Sequence, residues 1–222
     1  MKIKIIACEV MKDELISVLK DNETDMEFLS MGLHLYPEKL NRELQRIIDG
    51  AKGYDRIVLA FGLCGGAGKG LGSKDATLTM PRTHDCIPLL LGSREAFLAE
   101  REKELGTFYL TCGWLRGEKS ILSEHARVKE KYGEKKAKGI IKRVYDAYKR
   151  VLFIRTGGSN EPSYLEGSYE VARLLELKHE ITDNDFTYIQ KIVYGPWDNE
   201  NFVNVGPGKS VEEEAFFKDA AI

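Results

Sequence analysis

Four cysteines are the residues of this 222-residue chain with the widest chemical range: Cys8, Cys64, Cys86 and Cys112. Each lies at or beyond the end of a segment whose apolar pattern predicts a strand. Parallel strands bring their carboxyl ends to one edge of a sheet, where α/β proteins bind ligands. We therefore expect these thiols to approach one another, although the chain has no short Cys-x-x-Cys pair. The alternative for each cysteine is packing in the core as a small apolar residue.

The tripeptide His84-Asp85-Cys86 places three chemically capable side chains together. It follows Pro81, and an extended chain at this point would turn His84 and Cys86 toward the same side. A short helix is predicted to start just ahead of Pro88, and a helix N-terminus near Cys86 would favour its thiolate form. A thiolate beside an imidazole serves either as a pair of metal ligands or as a nucleophile with its base.

The first hypothesis is a metal centre of zinc or an iron–sulfur cluster held by distant cysteines. Its predicted ligands are Cys8, Cys64, Cys86 and His84, a set that suits zinc. All four cysteines, or three with an open position, would suit a cluster. His84 and Asp85 are also predicted catalytic residues, with His84 as ligand or base and Asp85 orienting it. The substrate would be a small molecule, free or carried on a cofactor.

Two alternatives need no metal. In one, the protein is an enzyme in which Cys86 or Cys64 is the nucleophile, His84 is the base, and the substrate is a small anion. In the other, it is a non-catalytic accessory protein whose basic helical segment 135–150 docks a partner, and the cysteines only pack. The ordinary interpretation of that basic segment is a solvated amphipathic helix.

The stretch AFGLCGGAGKGLG, residues 60–72, fits no nucleotide-binding motif. A phosphate-binding loop requires glycine where Leu63 stands and serine or threonine where Gly70 stands, and no register gives G-x-G-x-x-G. Such a loop can still expose backbone N–H groups to an anion or let a cofactor approach closely. The residues predicted to do so are Gly65, Gly66, Gly68 and Lys69. The alternative is a mobile turn.

A second predicted anion seat follows the strand 151–155 and precedes a helix start, where free N–H groups favour oxyanions. It consists of Arg155, Thr156, Gly157, Gly158 and Ser159. A plain strand-to-helix turn explains the same residues. His34 follows the second predicted strand and is a further candidate for the thiol site, with a surface turn as its alternative.

Strands and helices alternate along the chain, which predicts parallel βαβ units. The fold class is therefore α/β, a mainly parallel sheet flanked by helices in the Rossmann-like manner. We predict an N-terminal lobe at 1–114, a charged helical connector at 115–150 and a C-terminal lobe at 151–222, or one continuous domain. The predicted strands are 2–8, 26–32, 56–62, 77–81, 107–114, 151–155, 179–182 and 201–205.

The bulk composition excludes several classes of protein. The formal net charge of -2 gives no indication of binding to nucleic acid or an anionic membrane. No apolar run approaches the roughly 20 residues of a membrane span, and the apolar stretch after Lys4 is too short for a signal peptide. We expect a cytoplasmic protein, whose cysteines are thiols or ligands in a reducing compartment.

Several segments together resemble the family known as domain of unknown function 1638, found in methanogenic archaea and anaerobic bacteria. They are KIIACEVM, LHLYPEKL, YDRIVLAFGLCGGAGKGL, MPRTHDCIPLLLGSREAF, GTFYLTCGW and WDNENFVNVGPG. The resemblance covers most of the chain and implies that Cys8, Cys64, His84, Asp85 and Cys86 are the family-like polar positions. Gly66 stands where the family pattern leads us to expect asparagine, and Cys112 is not characteristic.

The resemblance also implies a biological setting. The resemblance implies that the source organism is an anaerobe and that the protein acts in corrinoid-dependent methyl metabolism. The implied partner is a corrinoid or methyltransferase protein. It implies no reaction. Methyl transfer to or from a thiol or corrinoid is the guess that this setting suggests.

Overall fold

The chain alternates strands and helices in a computed structural model that describes residues 1–20, 24–157 and 160–217. The predicted α/β class, with mostly parallel strands flanked by helices, is confirmed. The strands are β1 Ile3–Cys8, β2 Asp25–Leu29, β3 Arg56–Ala60, β4 Thr77–Pro81, β5 Thr107–Leu110, β6 Arg150–Arg155, β7 Lys178–Asp183 and β8 Phe202–Val205. The α-helices are α1 Lys12–Ser17, α2 Pro37–Gly50, α3 Ile87–Leu91, α4 Arg94–Lys103, α5 Cys112–Arg116, α6 Ile121–Tyr132, α7 Glu134–Val144, α8 Glu161–Leu175 and α9 Thr187–Tyr194.

The chain divides into two compact units, Met1–Leu89 with Phe186–Ile222, and Leu90–Asp185. These limits differ from the predicted boundaries at 114 and 150. The reason is that β8 returns to the first unit and pairs antiparallel with β4, with Leu78 opposite Val205. The sequence contains no local signal for that long-range pairing.

The first unit is built on a five-stranded sheet of order β2-β1-β3-β4-β8. The first four strands are parallel, and β1 and β3 are apolar runs whose residues Ile5, Ile6, Ile57 and Leu59 are fully buried. Because β1 lies between β2 and β3, the connections on its two sides run in opposite directions. The carboxyl ends of β1 and β3 therefore form the topological switch point of the sheet, the usual ligand position in doubly wound folds.

The second unit contains a three-stranded parallel sheet of order β5-β6-β7. Phe153 at the centre of β6 is fully buried in its apolar core. Arg150 at the start of β6 is also buried, and its guanidinium donates to Glu100 at 2.7 Å and to Glu180 at 2.5 Å. Buried charges are tolerated when they are paired and hydrogen-bonded, as this one is.

The predicted strand 107–114 is correct only in its first half. Strand β5 ends at Leu110, and α5 begins at Cys112. Cys112 is buried in the apolar core of the second unit, against Leu110 and Ile121. A short apolar run does not distinguish a strand from a buried helix, which is why the pattern misplaced this segment.

The predicted charged helix 135–150 begins near α7 but stops at Val144. Gly133, with φ of 79°, separates α6 from α7 in a conformation that favours glycine. Lys138 and Lys142 pair with Glu176 at 3.1 and 2.5 Å, which reduces the free positive charge of this surface. Across the described ranges, no helix has the length and apolar character needed to cross a membrane.

Candidate thiol site

Three of the four cysteines lie at the carboxyl edge of the five-stranded sheet. Cys8 is the last residue of β1, in register with Leu29 of β2. Cys64 begins a short 3-10 turn in the loop after β3, and Cys86 lies in the loop after β4, directly before α3. The expectation that all four cysteines share one edge is wrong for Cys112, which follows β5 in the separate three-stranded sheet.

The loops after β3 and β4 are joined through their backbones. The N–H of Cys64 donates to the carbonyl oxygen of His84 at 2.8 Å, and the N–H of Leu63 donates to Thr83 at 2.9 Å. Gly62 lies against Asp85 so closely that an added Cβ would be 2.5 Å from its backbone nitrogen. These contacts fix the chain that carries Cys64 beside the chain that carries Cys86.

Gly62 is a site-forming residue that the sequence prediction missed. The only signal in the sequence was a glycine directly between a buried strand and a cysteine-bearing loop, which favours a close backbone approach. The residue that this glycine contacts could not be inferred, because the contact depends on how β3 and β4 are paired.

Cys64 has an unusual backbone conformation. Its φ is 47°, and Gly65 and Gly66 follow with φ of 69° and 93°, so three successive residues are left-handed. Glycine adopts this conformation readily, whereas for a residue with a Cβ it costs of order 1 kcal/mol of conformational free energy. Non-glycine residues in this region persist where surrounding contacts hold them, and they concentrate at functional sites.

Burial raises the pKa of all three thiols, and neighbouring thiols add to the rise for two of them. Burial raises the pKa of Cys8 to about 11. Burial, and then the charges of Cys8 and Asp85, raise the pKa of Cys64 to about 12. Burial raises the pKa of Cys86 well above its ordinary value, with Cys8, Cys64 and Asp85 adding to the rise. In the metal-free protein these thiols are therefore protonated at neutral pH, and they lie near enough for one thiolate to disfavour the next.

His84 and Asp85 do not have the arrangement that an extended chain would give. Residues 82–86 form a series of bends, so that His84 is exposed while Cys86 is buried. The His84 ring contacts Phe217, with centroids 5.2 Å apart. Asp85 Oδ1 accepts from the N–H of Ile87 at 2.8 Å, and burial raises the pKa of this carboxyl. The extended conformation that would turn His84 and Cys86 to one side is not found, and the catalytic roles of His84 and Asp85 stay predictions.

The amides of the glycine-rich loop are largely used within the protein. The N–H groups of Gly66, Gly68 and Lys69 each donate to a carbonyl of the same loop, at 3.0, 3.3 and 3.0 Å. The Lys69 ammonium pairs with Glu213 at 3.3 Å. In this conformation these three amides do not form an anion nest. A cofactor-facing role for the loop, Gly65 included, stays a prediction.

The second predicted anion seat belongs to the other unit, after β6. The N–H groups of Thr156 and Gly157 donate to Glu161 Oε2 at 2.7 and 2.6 Å, and Arg155 pairs with Asp183 at 2.6 Å. The protein's own carboxylate therefore satisfies these two amides. Gly158 and Ser159 lie outside the described residues.

Metal coordination is not preformed in the described part of the chain. With the side chains as they stand, no group of three or more His, Cys, Asp or Glu residues there is arranged to hold a metal ion. The thiols of Cys8, Cys64 and Cys86 would have to turn toward a common point.

Alkylation of the native protein distinguishes inert from activated thiols. We expect Cys8, Cys64 and Cys86 to react with iodoacetamide at pH 8 at least about 100-fold more slowly than free cysteine, since burial raises their pKa. Limited access slows Cys8 and Cys86 further. All four cysteines should react at ordinary rates once the protein is unfolded in urea. One rapidly modified cysteine among these three in the native, metal-free protein would instead support the nucleophile hypothesis.

The fold and the site together define a class: an α/β protein with two buried thiols and one half-buried thiol at the switch point of a mostly parallel sheet. The chain belongs to the family described as protein of unknown function (DUF1638), whose family model matches residues 28–193. The matched residues include Cys64, Cys86 and His34, whereas Cys8 precedes them. No curated protein and no solved structure matches the chain.

Proposed function

We propose that this protein binds a thiophilic divalent metal ion, zinc in the first instance, through Cys8, Cys64 and Cys86. One observation carries the proposal: the thiols come from the ends of three neighbouring strands and lie near enough for Cys8 to raise the pKa of Cys64, and for both to raise the pKa of Cys86. Three adjacent thiolates repel each other in the absence of a cation. A bound divalent ion removes that repulsion, because thiolate is the form that coordinates.

The same observations speak against a cysteine nucleophile. An activated cysteine has a lowered pKa in an electropositive surrounding, whereas burial raises the pKa of all three thiols here. The predicted base, His84, is exposed and packs against Phe217. His84 is therefore not placed as the base that a nucleophilic Cys64 or Cys86 would need.

Zinc fits a donor set rich in thiolate, and an iron–sulfur cluster with one non-cysteine position is the second candidate for the same residues. The two differ in their visible spectra, since zinc is colourless and iron–sulfur clusters are brown. A small molecule bound at the open edge of the sheet would then meet the metal. A role in corrinoid-dependent methyl metabolism, with a corrinoid or methyltransferase protein as partner, stays a prediction from the family resemblance.

Zinc titration as a function of pH tests the proposal. We expect one zinc ion per chain and an affinity that falls as the pH is lowered. The sign follows from the raised pKa values: each thiol is protonated below its pKa, so metal binding must displace its proton. Each displaced proton contributes about tenfold per pH unit, and three contribute up to about 1000-fold.

The measurement is competition with a chromophoric chelator between pH 6 and 8, under reducing and anaerobic conditions. Proton release on zinc binding is recorded in weakly buffered solution at the same time. An affinity that does not change with pH, or binding without proton release, would contradict coordination by thiolates.

A further inference from the structure

His34 carries a buried polar atom that no residue in the described ranges satisfies. Its Nε2 has no hydrogen-bond partner there, although the atom is shielded from solvent. The ring stacks on Phe61, with centroids 5.9 Å apart and 26° between the planes. A buried nitrogen without a partner is uncommon in folded proteins, and an ion that binds there is one of its explanations.

The chain segment that carries His34 is anchored beside Cys8. Glu9 directly follows Cys8, and its Oε1 accepts from the N–H of Met31 at 2.8 Å and from the Ser30 hydroxyl at 3.1 Å. Met31 begins the 3-10 helix Met31–Leu35 in which His34 lies. One carboxylate therefore ties the start of the histidine-bearing turn to the residue after the first thiol.

The same segment also lies against the loop that carries Cys64. Phe61, on which His34 stacks, is the residue directly after β3 and is three positions before Cys64. An added Cβ on Gly65 would lie 3.4 Å from Cγ of Pro37, at the start of α2. His34 is thus placed between the end of β1 and the loop after β3, at the switch point of the sheet.

We propose that His34 Nε2 is the fourth ligand of the metal ion held by Cys8, Cys64 and Cys86. This inference rests on the proposed thiolate site. A set of three cysteines and one histidine is a common tetrahedral arrangement for zinc. The ligands come from four successive positions along one sheet edge, after β2, β1, β3 and β4.

The two other candidates for the fourth position are less suited. Asp85 already uses Oδ1 to accept from the N–H of Ile87, and His84 is exposed. His34 Nε2 is buried and has no partner in the described ranges, so a neutral ring protonated at Nδ1 offers its lone pair there.

The test is cobalt(II) binding to the full-length protein and to His34→Gln, followed by the visible absorption of the complex. We expect His34→Gln to lower the affinity for cobalt about 10- to 100-fold. The strong ligand-field absorption of a tetrahedral site should weaken, while the sulfur-to-cobalt charge-transfer bands persist. His125→Gln is the control, since its imidazole is mostly buried, 3.8 Å from Glu134 in the other unit. It should change neither quantity.

Other outcomes separate this inference from the proposed site. Unchanged affinity and spectrum in His34→Gln, together with loss of binding in Cys64→Ser, would exclude His34 and leave the thiolate site intact. If Asp85→Asn or His84→Gln lowers the cobalt affinity and His34→Gln does not, the fourth ligand is that residue and the assignment of His34 is wrong. No cobalt binding by the unaltered protein would overturn both proposals. Circular dichroism of each metal-free variant verifies that it is folded.

Discussion

Replacing Cys64 with serine is expected to weaken zinc binding by at least about 100-fold. Serine keeps the size of the side chain but supplies a hydroxyl, which does not ionise at neutral pH and is a poor zinc ligand. The backbone at position 64 has φ of 47°, which is about equally strained for serine and for cysteine, so the substitution should not change the conformational energy of the backbone. The effect should therefore appear in metal affinity and leave the stability of the metal-free protein nearly unchanged.

Cys112→Ser is the matched control for this substitution. Cys112 is buried like Cys8 and Cys86, whereas Cys64 is half-buried, and it lies in the apolar core of the second unit. Its replacement should lower stability slightly, since a hydroxyl enters an apolar surrounding, and should leave zinc affinity unchanged. Zinc affinity that is equal in Cys64→Ser and in the unaltered protein would remove Cys64 from the site. Equal losses of zinc affinity in Cys64→Ser and Cys112→Ser would indicate that Cys64→Ser acts through the fold and not through a lost ligand.

Replacing Gly62 with alanine is expected to lower the free energy of unfolding by about 3 kcal/mol. The added Cβ would lie 2.5, 2.7 and 2.8 Å from three backbone atoms of Asp85. Backbone atoms cannot turn aside as a flexible side chain can, so the loops after β3 and β4 must separate. Separation would also move Cys64 away from Cys86, and zinc binding should weaken together with stability.

Gly50→Ala is the control for the effect of a methyl group at a glycine of the same unit. Gly50 is the last residue of α2, and an added Cβ there would meet nothing within 4 Å. Alanine is the better helix former, so a gain of up to about 1 kcal/mol is expected. Urea unfolding of both variants measures the difference. An unfolding midpoint of Gly62→Ala equal to that of the parent protein would contradict the close contact with Asp85.

The placement of Cys8 and Cys64 could be predicted from the sequence because the two strands before them are unambiguous. The β1 and β3 segments are short, nearly continuous apolar runs, as strands buried on both faces require. Once both are strands of a parallel sheet, the rule for ligand positions brings the residues after them to one edge. The resulting expectation did not depend on knowing the strand order.

The sequence could not place Cys112 because its segment is apolar throughout. TFYLTCGW is compatible with one long strand or with a strand followed by a buried helix, and the structure has the second. Nor does local sequence reveal that β5 belongs to a separate sheet. Strand pairing is decided by tertiary packing, which a pattern of single residues does not contain.

The orientation of His84 and the role of Gly62 could not be predicted for a related reason. Both depend on the contact between two loops that are far apart in sequence, through Cys64 N–H to His84 and Gly62 to Asp85. Residues 82–86 form bends beside that contact, with His84 exposed and Cys86 buried. The residue types therefore indicated a thiol site as a hypothesis, while the neighbours of each thiol required the structure.

X-ray absorption spectroscopy of the zinc-loaded protein tests the central claim most directly, because it reports which atoms surround the ion. Our account predicts three sulfur neighbours at about 2.3 Å and one lighter neighbour at about 2.0 Å, with the outer-shell scattering typical of imidazole. The same sample prepared from Cys64→Ser should show one sulfur fewer or no bound zinc. A first shell made only of oxygen and nitrogen, with zinc bound in full amount, would contradict it.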